Sequence, residues 1–93
     1  MTTPAIDEVV EIARLYRFQW EEAQQAYVLL FPEGMVKLSP SAGEILKRVD
    51  GTKSVADIIR DLQTAFPGAD LEQDVLEFIE TAYGHGWIRT RPA

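Results

Sequence analysis

The chain has 93 residues, of which 46% are hydrophobic and 26% charged, with a formal net charge of −6 and no cysteine. A chain this short buries only about 60–65% of its unfolded surface, so we expect one domain with one core over residues 1–93. The absence of cysteine excludes a disulfide framework and thiolate chemistry, and the negative charge disfavours nucleic acid and anionic membranes as partners.

Residues 1–14 give an ambiguous signal. Apolar residues at positions 6, 9, 10 and 13 have helical spacing, whereas the adjacent pair Val9 and Val10 is typical of a strand. A short helix and a mobile, extended arm therefore both remain open for this segment.

Residues 15–38 predict a three-stranded antiparallel sheet. Tyr16, Phe18 and Trp20 alternate with polar residues, which is the period-two pattern of a strand with one buried face. Residues 22–25 form a polar turn without glycine, which disfavours a tight two-residue hairpin. The second and third strands are expected at residues 27–31 and 35–38.

Residues 39–83 predict three amphipathic helices, of which the first two form a helix-turn-helix pair. Ser39 can cap the first helix ahead of Pro40, while Ser41 begins a rival capping box. Gly51 is expected to end this helix by accepting a positive φ. The apolar stripe of the first helix comprises Ala42, Ile45, Leu46 and Val49.

The second and third helices have caps and stripes of the same kind. Ser54 is expected to cap the second helix, and Asp70 the third, with Gln73 at the capping-box position. Leu76 and Tyr83 extend the third helix's apolar surface beyond one stripe, so it is expected to contact two partners. The inner stripes are Val55, Ile58, Ile59, Leu62 and Phe66 in the second helix, and Leu71, Val75, Phe78, Ile79 and Ala82 in the third.

A short extended tail at residues 87–90 completes the predicted fold. The fold class is then α+β and winged-helix-like: an N-terminal antiparallel sheet followed by three helices. The longest fully apolar run, residues 26–31, is far below the ~20 residues that span a bilayer. The N-terminus also lacks a basic start followed by an apolar segment, so a cytoplasmic protein is the default expectation.

Few residues in this sequence could carry catalysis. We therefore expect that the protein is not an enzyme and that it binds no cofactor or metal ion. His85 is the only histidine, and its position between two glycines after a helix suits a solvated residue near the helix dipole. The serines at helix starts are explained as caps, and the sequence has no glycine-rich phosphate loop. Five carboxylates of the third helix lack the spacing of a calcium loop and are interpreted as a solvated face: Asp70, Glu72, Asp74, Glu77 and Glu80.

The aromatic and basic residues also have structural interpretations. Arg17 is the only basic residue among the three aromatics of the first strand, which favours core packing over stacking on nucleic acid bases. Trp87 is expected to plug the core against the end of the third helix. Lys47, Arg48 and Lys53 are expected to face solvent near helix C-termini.

A DNA-binding winged helix is disfavoured by the charge of its would-be recognition helix. Between Asp70 and Tyr83 the sequence has five acidic residues and no lysine or arginine. Such a helix would be repelled by phosphates.

Several short segments share their order and spacing with one known family. They are Tyr27 to Gly34, Leu38, Ser39, Ala42, Ile45, Leu46, Asp50, Gly51, Ser54, Val55, Ile58, Leu62 and Gly86 to Ile88. Together they resemble protein D of pyrroloquinoline quinone (PQQ) biosynthesis over most of residues 15–88. This resemblance implies a recognition domain for ribosomally made, modified peptides. Such a domain binds the PQQ precursor peptide and presents it to a radical S-adenosylmethionine (SAM) enzyme.

The resemblance also implies a binding site. In the family, the peptide lies as an added strand along the third strand, in a groove walled by the third helix. Carried over to this sequence, the strand edge would be Met35, Val36, Lys37 and Leu38. Helical spacing then suggests a wall of Glu72, Leu76, Ile79 and Tyr83.

Two alternatives stay open beside this interpretation. The chain could instead be an acidic winged-helix transcription factor or another protein-binding adaptor. We expect a monomer, although an exposed strand edge or the N-terminal arm could be exchanged between copies to form a homodimer.

Overall fold

The computed structural model describes residues 3–91. Over these residues it shows an α+β architecture of three helices and two antiparallel sheets. The predicted helices and the predicted N-terminal sheet are confirmed. The first two residues of the predicted arm lie outside the described range. In chain order the elements are β1 (Val10–Ile12), β2 (Arg17–Glu21), β3 (Ala26–Phe31), β4 (Gly34–Lys37), α1 (Pro40–Leu46), α2 (Val55–Ala65), α3 (Glu72–Gly84) and β5 (Ile88–Thr90).

The larger sheet has the strand order β2-β3-β4, so β3 is central and β4 is an edge strand. Phe18 and Val36 both lie opposite Leu29, and directly opposite residues share one face of a sheet. Leu29 is fully buried in the core, so this face is the core face. The turn between β2 and β3 spans residues 22–25, as expected without glycine, and Gln25 adopts a φ of +51° there.

The N-terminal segment contains the strand β1 (Val10–Ile12) and no helix over residues 3–14, so of the two alternatives the helix is wrong. β1 pairs antiparallel with β5, with Val10 opposite Thr90, and the predicted C-terminal tail is therefore the second strand of a small sheet. Val10 and Ile88 are buried. Arg89 Nε donates to Glu11 Oε2 at 2.6 Å across 78 residues of sequence. Periodicity could not decide between the helix and the extended arm because the partner strand is distant in the chain.

The starts of α1 and α2 follow the predicted caps. Ser39 Oγ accepts a hydrogen bond from the Ala42 N–H at 3.2 Å, so Ser39 rather than Ser41 is the cap. Ser54 and Asp57 form a reciprocal capping box at 3.1 Å in both directions. α1 ends at Leu46, one turn before the expected Gly51.

The start of α3 differs from the prediction. Leu71 occupies the N-cap position, no side chain caps the helix, and Asp70 is exposed. Gln73 donates to Glu77 Oε2 at 3.1 Å instead of completing a capping box. Leu71 packs against the core. The start of α3 therefore has an apolar contact at the position where a polar cap was expected.

The core lies between the core face of the larger sheet and the helices. α1 packs on β3, α2 packs on α1 and α3, and α3 packs on β5. At the contact between α1 and β3, a Cβ on Gly43 would lie 2.8 Å from Cδ2 of Tyr27, so the helix backbone rests on the aromatic ring. The fully buried large side chains of this core are Leu29, Leu46, Ile58, Ile79, Ile88, Val10, Val55 and Val75. Val28 is also fully buried, but on the opposite face of the larger sheet.

Arg48 does not simply face solvent, contrary to the prediction. Its guanidinium lies 2.9 Å from Glu44 and 2.9 Å from Asp61, and it thereby joins the end of α1 to α2. The side chain is only 15% exposed. Lys47 is exposed as expected, and Lys53 pairs with Asp50 at 2.9 Å.

Candidate functional site

The free edge of β4 carries backbone groups that point away from the sheet. The Leu38 N–H donates to the Tyr27 carbonyl at 3.0 Å, at positions that face each other in the register of β3 and β4. Antiparallel partners alternate between hydrogen-bonded and non-bonded pairs, so Val36 also bonds inward. The N–H and C=O groups of Met35 and Lys37 therefore point outward, where another strand could pair with them.

An apolar groove of about 1180 Å³ opens at the C-terminal end of β4. Leu38 and Tyr27 line it from the sheet, and the first turn of α1 lies beside them. Helices α2 and α3 supply the other side through Leu62, Phe66, Leu71, Asp74, Val75 and Phe78. The groove thus extends from Lys37, the last residue of β4, to α3.

Two large aromatic side chains at the groove are exposed. Trp20 is 47% exposed and Phe66 is 44% exposed. Neither belongs to the core, so the interpretation of Trp20 as a core residue is wrong, and so is the placement of Phe66 in the inner stripe of α2. The Trp20 Nε1–H donates a hydrogen bond to Glu22 Oε2 at 2.7 Å. The Trp20 ring also packs edge-on against the ring of Tyr27, with 5.0 Å between the ring centroids. Both side chains line the same groove, and exposed apolar residues that lie together are typical of a binding surface.

The predicted α3 wall does not line this groove. Ile79 is 2% exposed and belongs to the core, whereas Leu76 and Tyr83 are half-buried on another flank of the helix. Glu72 is exposed. The wide apolar arc of α3 is real, but spacing alone does not tell which flank meets the sheet edge. The role of these four residues in peptide binding stays a prediction.

The electrostatic character of the groove is mixed at its rim. Glu44 and Asp74 contribute carboxylates, and Lys37 is the basic residue among those lining it. The rest of the lining is mainly apolar, so main-chain pairing and apolar burial are what this surface offers a ligand.

No metal-binding cluster accompanies the groove in the described part of the chain. Across residues 3–91, no three acidic or histidine side chains cluster as metal ligands would. His85 is exposed and stacks on Trp87 with 4.8 Å between ring centroids. Trp87 itself is half-buried against the core near Phe78, as the sequence predicted. Over the same residues, no helix has the length and apolarity to cross a membrane.

Residues 26–88 match the family described as Coenzyme PQQ synthesis protein D (PqqD), a match that covers more than half of the chain. The chain belongs to the PqqD family. The resemblance seen in the sequence is confirmed, and it includes β3, β4, the three helices and the first residue of β5.

Individual relatives of this PqqD-family chain are similar over nearly its whole length. The PqqA binding protein of Azotobacter vinelandii is 48% identical over 89 residues, covering 95% of this chain and 97% of the relative. The PqqA binding protein of Acinetobacter baylyi is 50% identical over 88 residues, covering 94% of this chain and 83% of the relative. These relatives are named for binding and not for catalysis.

A solved structure shares the fold. The solution NMR structure of the PqqD truncation of Methylobacterium extorquens PqqCD superimposes with a TM-score of 0.76 at 26% identity, covering 95% of this chain and 96% of the other. That protein is described as a functional, stand-alone recognition element for ribosomally synthesized and post-translationally modified peptides.

Proposed function

We propose that this PqqD-family protein binds the PQQ precursor peptide as an added strand along β4 and presents it to a radical SAM enzyme. The observation that carries the proposal is the position of the outward-pointing backbone of Met35 and Lys37 beside an apolar groove that reaches α3. The names of the relatives, which refer to binding of PqqA, give the ligand.

The groove would select side chains while the strand edge supplies main-chain hydrogen bonds. Successive side chains of an added strand point to opposite faces of the sheet, so every second one would point toward the core face. There it would meet Leu38 from the sheet and Leu71 and Phe78 from α3. The backbone groups of Val36 bond to β3, so Val36 would help to hold β4 in the sheet and would not pair with the peptide. Glu72, Leu76, Ile79 and Tyr83 would take part only if the peptide crossed the other flank of α3.

The remaining parts of the proposal concern how the protein works. It would act as a non-catalytic, winged-helix-like chaperone, without a cofactor, as a monomer in the cytoplasm.

The decisive test is proline substitution on the edge strand, read by titration with the precursor peptide. Lys37→Pro removes an outward N–H and blocks the added strand, so peptide binding should weaken by about 1–3 kcal/mol. Lys37→Gln removes the charge but keeps the N–H, so it should bind nearly as the native protein does. Val36→Pro removes an inward bond to β3 and should lower the unfolding temperature.

The controls separate binding from folding. Far-UV circular dichroism of Lys37→Pro should match that of the native protein. Equal loss of affinity in Lys37→Pro and Lys37→Gln would mean that charge, and not strand pairing, holds the peptide. Tight binding of a random DNA duplex at moderate salt, with no response to the peptide, would favour the transcription-factor alternative instead.

A further inference from the structure

The larger sheet has a second face that is turned away from the helices, which we call the outer face. Arg17, Leu30 and Met35 form a row across its three strands, because Leu30 lies opposite both other residues. Their neighbours on this face follow from the two-residue alternation along each strand. The outer face comprises Arg17, Gln19, Glu21, Ala26, Val28, Leu30, Met35 and Lys37.

The outer face carries two unpaired basic side chains, Arg17 and Lys37, and one carboxylate, Glu21, in a protein that is acidic as a whole. Of the nine basic residues, four are ion-paired to carboxylates, and Arg91 donates to the Gly51 carbonyl. Over residues 3–91, the basic side chains with neither an ion pair nor a hydrogen bond are the remaining four, those of Arg14, Arg17, Lys37 and Lys47. Arg17 and Lys37 belong to the outer face and Arg14 lies at its rim, whereas the whole chain carries −6.

A small hollow lies at this rim. It has a volume of about 270 Å³, and Arg14, Leu15, Arg17 and Leu30 contribute to its lining together with Tyr16, Phe31 and Pro32. No carboxylate lines it. Leu15 is 71% exposed, the most of any large hydrophobic residue in the described chain. Two cationic groups beside an exposed leucine fit a carboxylate-bearing surface that also has an apolar recess.

We propose that the outer face is the docking surface for an acidic patch on the modifying enzyme, an inference that rests on the proposed function. A peptide strand added to β4 would extend this same sheet, with every second side chain beside Met35 and Lys37. An enzyme seated on Leu15, Arg17 and Met35 would therefore contact the bound peptide without competing for the groove. The opposite charges of the two surfaces would also steer their encounter.

A second copy of the chain fits this face poorly. A two-fold symmetric contact would bring the same surface of both copies together, so the basic side chains Arg14, Arg17 and Lys37 of one copy would approach those of the other. A contact between this face and the acidic α3 of another copy would be head-to-tail and would not close into a dimer. The charge pattern therefore favours a different protein as the partner.

The test compares two affinities in the same variants. Binding to the radical SAM enzyme of the PQQ pathway from the same organism, and binding to the precursor peptide, would be measured at low and moderate salt. Arg17→Glu should weaken enzyme binding about tenfold and reduce its salt dependence, with peptide affinity unchanged. Leu15→Ser should weaken enzyme binding at both salt concentrations. The matched control is Lys47→Glu, which makes the same charge change at the end of α1, on the helix side of the sheet.

Each outcome separates the docking surface from the proposed function. Native enzyme affinity in Arg17→Glu, or equal loss in Lys47→Glu, would overturn the docking surface and leave peptide binding intact. A native chain that binds the enzyme and not the peptide would overturn the proposed function alone. If the native protein bound anionic phospholipid vesicles and Leu15→Ser did not, the surface would be assigned to a membrane. If the native protein showed a doubled mass in light scattering and Leu15→Ser did not, the surface would be assigned to a second copy of the chain. Either result would overturn the enzyme-docking surface.

Discussion

Gly43 allows α1 to rest directly on the ring of Tyr27. An added Cβ would lie 2.8 Å from Cδ2 of that ring, and the ring cannot move freely because it stacks on Phe18 at 4.8 Å and meets Trp20 at 5.0 Å. Gly43→Ala should therefore destabilise the protein by about 1–3 kcal/mol through overpacking. Thermal unfolding would measure this as a lower midpoint.

The matched control for this position is Gly34→Ala. A Cβ there would meet Phe31 Cζ at 3.6 Å, an ordinary contact, and Gly34 does not adopt a positive φ. Its unfolding midpoint should stay close to native. Similar midpoints for the two variants would show that α1 can shift on the ring without cost.

Asp50 makes the loop between α1 and α2 sensitive to acid. It accepts hydrogen bonds from Thr52 Oγ1 at 2.7 Å and from Lys53 Nζ at 2.9 Å. These bonds, that of the Thr52 side chain foremost, hold the pKa of Asp50 well below its usual range. A lowered folded-state pKa stabilises the fold above the unfolded value of about 3.9 and loses that contribution as the pH falls toward the folded value.

Asp50→Asn tests this linkage by removing the titrating group. The native protein should exceed the variant in free energy of unfolding at pH 7, and the difference should shrink at pH 3. Urea denaturation at the two pH values measures both quantities. A difference of the same size at pH 3 would locate the acid sensitivity of this loop elsewhere.

At the scale of elements, the sequence predicted the features that depend on interactions between residues close together in the chain. The caps at Ser39 and Ser54 and the alternation in β2 act within a few residues, so one sequence reveals them. For β1 the sequence left a helix and an extended arm both open, because its strand character depends on β5 at the other end of the chain. The groove was predicted only as a region, because periodicity gives the width of the apolar arc of α3 but not its rotation toward β4.

The two flanks of α3 can be compared with a matched pair of substitutions. Phe78 lines the groove and Tyr83 lies on the flank that the sequence favoured, and both are half-buried aromatic residues on one helix. Phe78→Ser should weaken peptide binding by about 1–2 kcal/mol, part of the free energy of burying a phenylalanine. Tyr83→Ser should destabilise the fold to a similar degree and leave peptide affinity near native.

Calorimetric titration with the precursor peptide, together with unfolding midpoints, would decide between the flanks. Loss of affinity in Tyr83→Ser alone would restore the wall predicted from sequence. Parallel loss of affinity and stability in both variants would mean that neither flank contacts the peptide directly.

At the scale of the whole molecule, the edge that binds a peptide strand must avoid binding its own copy. A symmetric pairing of two β4 edges would bring both Lys37 side chains onto one continuous sheet face, where like charges oppose each other, and edge lysines commonly prevent such pairing. Lys37→Val should therefore dimerise more readily than the native protein, and precursor peptide should return it to monomer by occupying the same edge. Light scattering across a concentration series measures both effects, and Lys47→Val, which removes an exposed charge at the end of α1, should stay monomeric. A native dimer that persists at nanomolar concentration, or equal association of the two variants, would show that Lys37 does not prevent pairing of two β4 edges.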